Sequence, residues 1–249
     1  MISMIDLQTL TISYGKKVLV DSVNAEFAPG TVYGLVAPNG HGKTTLLRAM
    51  AGLPGPRVDG SIVLDEVQGT GAREVRSMIF YAPGEGTLLY PGLRAEDHLK
   101  MACDMWPHAR DIEEIVEQTQ IGEFAKMRIC TLSQGMKQQL TLAIAYATGA
   151  RYLLLDEPMN ALDPSRVDLH SEILRKLADS GTCIIMSSHI LDSVDRLCDE
   201  ILFLKDGRLI RSIPQDDAAP KSPGSHFAKP AGRAEGALST YRRLYEKGG

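Results

Sequence analysis

The sequence lacks the features of a membrane-spanning or nucleic-acid-binding protein. It contains no run of about 18 apolar residues, so we predict that none of it crosses a membrane. It has no long basic run, and its net charge of −4 is not typical of a general nucleic-acid binder. Residues 1–6 show no basic region followed by an apolar stretch, so no signal peptide is expected. We therefore expect a cytoplasmic protein without a nucleic-acid partner.

Cysteine is scarce as well. No two of the four cysteines have C-x-x-C spacing, so the sequence supports neither a zinc knuckle nor a redox motif. We expect reduced, buried thiols at Cys103, Cys130, Cys183 and Cys198. Hydrophobic residues make up 44% of the 249 residues, which is enough for the core of one large domain or of a domain with a small lobe.

Short apolar runs alternate with turn residues through much of the chain. The pattern predicts a helix over 43–51, a helix from Asp163-Pro164 to Gly181 and a terminal hairpin over 201–210. Strands are predicted over 5–12, 18–27, 31–37, 61–64, 78–81, 151–155 and 183–186. Strands that alternate with helices favour an α/β fold with a mostly parallel sheet.

Two further regions differ from this pattern. Residues 94–147 are helical in character and indicate an inserted helical lobe. Residues 214–232 are rich in Pro, Ala, Ser, Gly and charge, which is typical of a linker or a disordered segment. Residues 234–247 then form either a short helix or a solvated tail with no specific role; the helix would carry Leu238, Tyr241 and Leu244. We therefore predict a main domain over 1–213 and a tail over 214–249.

Segment 37–45, Ala-Pro-Asn-Gly-His-Gly-Lys-Thr-Thr, has the composition of a phosphate-binding loop. Only small residues let several backbone N–H groups approach a polyphosphate, and Gly40 and Gly42 meet that need. Lys43 supplies a positive charge for the β- and γ-phosphates, and Thr44 supplies a hydroxyl for Mg²⁺. The helix that begins here adds its positive N-terminal dipole. Ala37 stands where the motif has its first glycine, and alanine suffices there if its φ is negative.

A second segment ends in two carboxylates. The apolar residues 152–155 predict a buried strand, so Asp156 emerges at a strand end, where it can hold Mg²⁺ through water. Glu157 beside it could polarise an attacking water. A salt-bridged acidic pair is the alternative interpretation. Together with the phosphate loop, this segment predicts a nucleotide hydrolase.

Over about residues 4–212 the chain resembles the nucleotide-binding subunit of an ATP-binding-cassette (ABC) transporter. Segment 132–140, Leu-Ser-Gln-Gly-Met-Lys-Gln-Gln-Leu, resembles the family signature, in which Ser133 and Gly135 would grip the γ-phosphate of ATP held by the opposite subunit. By the same resemblance, Asp163 belongs to the loop that crosses the dimer interface, His189 is the switch that contacts the γ-phosphate, and Tyr14 stacks on adenine.

The resemblance also implies a fold and a mechanism. The fold would be a P-loop NTPase core with an N-terminal antiparallel β subdomain and a helical subdomain at 94–147. Two subunits, in a homodimer or a heterodimer, would sandwich two ATP molecules with Mg²⁺ and drive an integral membrane permease from the inner face of the cell membrane. Lys43, Glu157 and His189 would be catalytic, and Thr44 and Asp156 would hold the metal. Nucleotide contacts along the loop would come from Asn39, Gly40, His41, Gly42, Lys43, Thr44 and Thr45.

The sequence departs from the family pattern in two places. Gly84, followed by Glu85, stands where the family has a glutamine that binds Mg²⁺ and the attacking water. Our hypothesis is that Glu85 or an extra water replaces that glutamine, or that hydrolysis is slowed. The signature has Gln134 and Met136 in place of its usual Gly and Gln, a form that resembles subunits of exporter-type permeases and favours export. The helical lobe, which carries Trp106, would line the permease-docking groove.

Two alternatives remain at this point. One is a soluble ABC-type ATPase that moves no solute, such as a repair or ribosome-associated factor, although the chain has one cassette and no sustained heptad repeat. The other is an ATP-gated regulator whose hydrolysis is impaired at Gly84, against which the presence of Glu157 and His189 argues.

Overall fold

Two β-sheets organise the part of the chain that the computed structural model describes, namely residues 4–65, 67–68, 77–84, 87–212 and 236–246. None of the helices within these ranges has the length and apolar character that a membrane span needs. Glu85 lies outside the described residues.

The N-terminal sheet is antiparallel and has the order β2-β1-β4-β5. Its strands are β1 (Ile5–Tyr14), β2 (Lys17–Phe27), β4 (Arg57–Leu64) and β5 (Val67–Gln68). Apolar residues in β1 and β2, including Ile5 and Leu7, face a core cluster that also holds Leu46 and Leu47. The predicted N-terminal antiparallel subdomain is thus confirmed.

The central sheet has the order β10-β9-β3-β8-β7-β6 and is parallel except for β10. Its strands are β3 (Val32–Val36), β6 (Ile79–Ala82), β7 (Tyr152–Leu155), β8 (Cys183–Ser188), β9 (Glu200–Lys205) and β10 (Arg208–Ser212). All of β3 is buried, and its alternate side chains join two different core clusters. Both faces of the sheet are therefore covered, which explains the continuous apolar runs in its strands.

The helices connect these strands and build the helical lobe. They are α1 (Lys43–Met50), α2 (Ala95–Met105), α3 (Ile112–Thr119), α4 (Gln134–Ala147), α5 (Pro164–Asp179), α6 (Leu191–Leu197) and α7 (Ala237–Tyr241). A π-helical turn, Arg242–Glu246, follows α7. The lobe packs on the central sheet partly through Trp106, whose ring lies 5.4 Å from that of Phe80.

Candidate functional site

The phosphate loop connects β3 to α1. Gly40 and Gly42 have φ of 79° and 102°, in the left-handed region that favours glycine. A Cβ at Gly42 would lie 3.3 Å from the Cβ of Leu19 and 3.6 Å from a methyl group of Leu204, so space there is also limited. Ala37 is buried and does not have a positive φ, as its replacement of the first glycine requires.

Lys43 is buried at the first turn of α1. Its Nζ donates a hydrogen bond to the carbonyl oxygen of Ala37 at 2.7 Å and lies 3.6 Å from Oε1 of Glu157. The side chain is only 7% exposed, so its charge is paired rather than solvated. This geometry places the ammonium between the start of the phosphate loop and the Glu157 carboxylate.

Asp156 directly follows β7, and its carboxylate accepts hydrogen bonds from three hydroxyl groups. Thr44 Oγ1 donates to its Oδ2 at 2.7 Å, and Ser187 Oγ donates to its Oδ1 at 2.5 Å. The Tyr81 hydroxyl is 3.4 Å from Oδ2, and burial, with the nearby charge of Asp156, raises the pKa of Tyr81. Thr44 and Asp156, 112 residues apart in sequence, are thus in direct contact.

Glu157 lies beside His189 at the carboxyl ends of β7 and β8. Nδ1 of His189 is 2.9 Å from Oε2 of Glu157, and the backbone N–H of His189 donates to the same oxygen at 3.2 Å. The backbone N–H of Glu157 donates to Ser187 Oγ at 2.9 Å. Glu157 itself has φ of 49°, an uncommon backbone conformation for a residue other than glycine. Neighbouring strands therefore bring together Lys43, Glu157 and His189.

Sequence reasoning missed Ser187 as a site residue. Its single hydroxyl donates to Asp156 and accepts from the backbone of Glu157, so it holds both acidic residues in place. The signal was present in the sequence, because Ser187 and Ser188 are polar residues at the end of a buried strand just before His189. Both are buried, a placement that polar side chains occupy when they have hydrogen-bond partners.

The signature residues lie elsewhere on the molecule. Ser133 caps α4 by accepting a hydrogen bond from the backbone N–H of Met136 at 3.2 Å. Asp163 caps α5, and hydrogen bonds from the Ser165 hydroxyl and the Arg166 backbone lower the pKa of its carboxyl group. Both face a cavity of about 400 Å³, whose lining within the described residues includes Gly135 and Ala161 but none of residues 37–45. The structure therefore does not bring the signature to the phosphate loop of the same chain.

The remaining residues predicted to contact the nucleotide belong to the phosphate loop, except Tyr14. Asn39, His41 and Thr44 are exposed, and Thr45 is partly exposed. Nδ1 of His41 lies 3.2 Å from the carbonyl oxygen of Asn39. Tyr14, at the end of β1, is 46% exposed, so its ring is open to a stacking partner.

These geometries define a P-loop nucleotide hydrolase in which the signature lies away from the phosphate loop of the same chain. The family model for ABC transporters matches residues 20–160, more than half of the chain. The chain belongs to the ABC transporter family and is an ATP-binding subunit with ATPase activity.

Curated relatives from bacteria support this membership. The chain is 34% identical over 210 residues to the lantibiotic transport ATP-binding protein SrtF of Streptococcus pyogenes, covering 83% of this chain and 89% of that protein. It is 35% identical to the Nod factor export ATP-binding protein I of Sinorhizobium fredii, covering 83% of this chain and 61% of that protein.

Solved structures have the same fold. An ATP-binding subunit of an ABC transporter aligns with a TM-score of 0.75 and 25% identity, over 83% of this chain and 88% of that chain. A dimeric cassette in a post-hydrolysis state bound to ADP and Pi aligns with a TM-score of 0.74 and 23% identity, over 82% of this chain and 96% of that chain. The predicted α/β P-loop fold with its antiparallel N-terminal sheet is confirmed.

Proposed function

We propose that the chain energises an integral membrane permease from the inner face of the cell membrane, and that the transport is export. The name of one relative, a Nod factor export ATP-binding protein, supports this direction, and the name of another, a lantibiotic transport ATP-binding protein, supports a role in transport. The chain brings ATP hydrolysis, and the permease would determine what is moved.

The observation that carries the residue assignment is the continuous set of contacts from the phosphate loop to His189. In this assignment, Lys43 contacts the β- and γ-phosphates, Glu157 polarises the attacking water, and His189 contacts the γ-phosphate. The contacts at 3.6 Å and 2.9 Å hold the Glu157 carboxylate between Lys43 and His189. Catalysis then depends mostly on positioning and on stabilisation of charge.

The paired oxygens of Thr44 and Asp156 fit Mg²⁺. Magnesium is bound through one or two carboxylates plus substrate phosphates rather than by an all-protein cage. Asp156 supplies one carboxylate and Thr44 one hydroxyl, and in the described ranges no group of three or more His, Cys, Asp or Glu side chains is arranged to hold a metal. When bound, the ion would neutralise charge on the phosphate oxygens. Ser187 would keep Asp156 oriented toward it.

The separation of the signature from the phosphate loop supports a dimeric site. Ser133 and Gly135 lie at the start of a 14-residue helix whose N-terminus carries a partial positive charge suited to an anion. Because these residues do not reach the phosphate loop of their own chain, we propose that they grip ATP held by a second subunit, with Asp163 at the interface. Tyr14, Asn39, Gly40, His41, Gly42 and Thr45 complete the proposed nucleotide site.

Steady-state ATP hydrolysis by the purified chain and its Glu157→Gln variant tests this assignment. We expect kcat to fall about 10²- to 10⁴-fold, the usual contribution of a general base, and ATP to trap the variant as a dimer detectable by size-exclusion chromatography with light scattering. Glu172→Gln is the matched control, since Glu172 is exposed on α5 and the charge change is the same. Equal kcat in Glu157→Gln and Glu172→Gln would exclude Glu157 as the base.

Affinity capture from solubilised membranes tests the permease partner. We expect an integral membrane protein to be recovered with the chain in the presence of ATP. Recovery of soluble proteins alone would instead support the alternative of an ABC-type ATPase that is not coupled to solute transport.

A further inference from the structure

The described part of the C-terminal tail, residues 236–246, returns to the sheet edge that carries the phosphate loop. The Tyr245 hydroxyl donates a hydrogen bond to the carbonyl oxygen of Leu204 at 2.8 Å and lies 3.5 Å from that of Val36. Val36 is the last residue of β3, immediately before the phosphate loop, and β9, which contains Leu204, is its neighbour in the sheet. One tail hydroxyl therefore bridges two strand ends at the base of the loop.

The same tyrosine also contacts the phosphate loop itself. Its ring lies 6.1 Å from that of His41 in an edge-on arrangement at 78°, a geometry that aromatic pairs prefer. Leu204, whose carbonyl it bonds, also lies beneath Gly42. Burial raises the pKa of Tyr245, so its hydroxyl remains protonated and can donate.

Hydrogen bonds hold the described part of the tail near its start and near its end. At its start, the backbone N–H of Ala237 donates to both carboxylate oxygens of Asp195 at 2.9 Å. Asp195 belongs to α6, the helix that begins two residues after His189. At its end, Lys205 Nζ donates to the carbonyl oxygen of Leu244. The tail thus connects the helix behind the switch histidine to the base of the phosphate loop.

We propose that Tyr245 is a positioning residue for ATP binding. A phosphate loop binds well only when its N–H groups already point inward, and each group that is fixed in advance removes an ordering cost from binding. Tyr245 holds the loop through its hydroxyl, which contacts the carbonyl oxygens of Val36 and Leu204, and through its ring, which packs edge-on against His41. Its hydroxyl and ring contact Val36, Leu204 and His41, none of which is assigned a catalytic role, so its loss weakens binding without removing a catalytic group.

Titration of the purified chain with fluorescent N-methylanthraniloyl-ATP and Mg²⁺ tests this proposal. Tyr245→Phe removes only the hydroxyl, whereas Tyr245→Leu removes the ring as well. Tyr241→Phe is the matched control, because the Tyr241 hydroxyl forms no hydrogen bond within the described residues although its ring lies 4.7 Å from that of Tyr245. We expect Tyr245→Phe to raise Kd about three- to tenfold, as loss of one neutral hydrogen bond would, Tyr245→Leu to raise it further, and Tyr241→Phe to leave it within about twofold.

Thermal unfolding of the nucleotide-free variants separates positioning from simple anchoring. Support for the proposal is a Kd for Tyr245→Phe above that of Tyr241→Phe when both are measured well below their unfolding temperatures, where both variants are folded. A lowered unfolding temperature with an unchanged Kd below the transition would overturn it, as would an equal Kd in Tyr245→Phe and Tyr241→Phe. The inference rests on the proposed ATP site: failure of the unaltered chain to bind the nucleotide would reject that site, whereas normal binding by Tyr245→Phe would reject this inference alone.

Discussion

At the scale of single residues, Gly84 departs from the family pattern, which has a glutamine at this position, and its surroundings in the structure are well defined. A Cβ at this position would lie 3.2 Å from the carbonyl oxygen of Asp156 and 3.9 Å from the Cβ of Glu157. A side chain at residue 84 would therefore begin beside the two acidic residues, which is where the family's glutamine acts by resemblance. The close carbonyl contact also means that any such side chain shifts the local backbone by a few tenths of an ångström.

Two substitutions at Gly84 separate the steric effect from the chemical one. Gly84→Ala adds only the Cβ and its contact with Asp156, whereas Gly84→Gln adds an amide that can orient water. We expect Gly84→Gln to show a kcat about tenfold above that of Gly84→Ala, which corresponds to about 1.4 kcal/mol of barrier. Steady-state hydrolysis at saturating Mg²⁺-ATP measures this, and equal kcat values in the two variants would show that the missing glutamine has no catalytic meaning.

At the scale of elements, the start of α4 and the loop before α5 form one joint unit. Gln138 Nε2 donates to the carbonyl oxygen of Pro158 at 2.9 Å, and a Cβ at Gly135 would lie 2.8 Å from the carbonyl oxygen of Ala161. Ala161 has φ of 62°, so the loop is already in a strained conformation. The signature helix and the proposed interface loop are therefore in direct contact.

A methyl group at Gly135 tests how tightly this unit fits. Overpacking of this kind costs about 1–3 kcal/mol, and for a chain of this size each kcal/mol lowers the unfolding temperature by about 2–4 °C. We therefore expect Gly135→Ala to unfold several degrees below the unaltered chain in a circular dichroism melt. Gly92→Ala is the control, because a Cβ at Gly92 would meet no atom within 4 Å. Identical melts for the two variants would contradict the close contact.

Elements with a strong local signal could be predicted from the sequence. Elements that depend on contacts with remote parts of the chain were missed. Runs such as residues 152–155 and the Asp163-Pro164 start mark β7 and α5 because burial and capping act locally. Helix α6 was missed, since only Val194 and Leu197 of its seven residues are buried, too few to give a recognisable apolar face in the sequence. The first half of β4 was also missed, because Arg57 to Gly60 are all exposed, include no alternation of buried apolar residues, and pair only with β1.

The candidate site divides in the same way. Motif residues such as Lys43 and Asp156 were predicted because their chemistry requires particular types at fixed spacing. For Ser187 the sequence offered only its polar type at a strand end, since its contacts with Asp156 and Glu157 depend on which strands are neighbours. The contacts of Tyr245 were not predicted, because they join segments far apart in the sequence. Of the two alternatives left open for residues 234–247, the described part is helical, as α7 and its π-helical turn, with Tyr241 and Leu244 packed on the core and Leu238 exposed. The division between 213 and 214 stays a prediction.

At the scale of the whole molecule, the buried His170 links stability to pH. It lies on α5 with no exposed surface, its Nδ1 is 3.2 Å from the Tyr146 hydroxyl, and its Nε2 has no partner within the described residues. Burial, with a smaller effect from Arg166, lowers the pKa of His170 to about 4. The unfolded chain therefore binds a proton below its ordinary pKa of 6.5 that the folded chain does not bind until about pH 4.

Stability should consequently fall as the pH is lowered from 6.5 toward 4. For this one group we expect a loss of about 2 kcal/mol by pH 5, and of about 3 kcal/mol when the pH reaches the folded pKa. Urea unfolding at pH 7.5 and pH 5.0, for the unaltered chain and for His170→Gln, measures the difference. The variant should lose about 2 kcal/mol less over this interval, and equal losses in the two proteins would exclude His170 as the cause.

The position of β3 has a consequence for how the protein is made. This strand comes early in the chain, yet its sheet neighbours β8 and β9 begin only at Cys183 and Glu200. On the ribosome, Val32–Val36 is therefore synthesised well before either partner has left the exit tunnel, and its backbone and apolar side chains wait unpaired. A segment in that situation is exposed to aggregation and to chaperones. The loop that is to hold ATP can take its final form only after residue 205 has emerged, when most of the chain already exists.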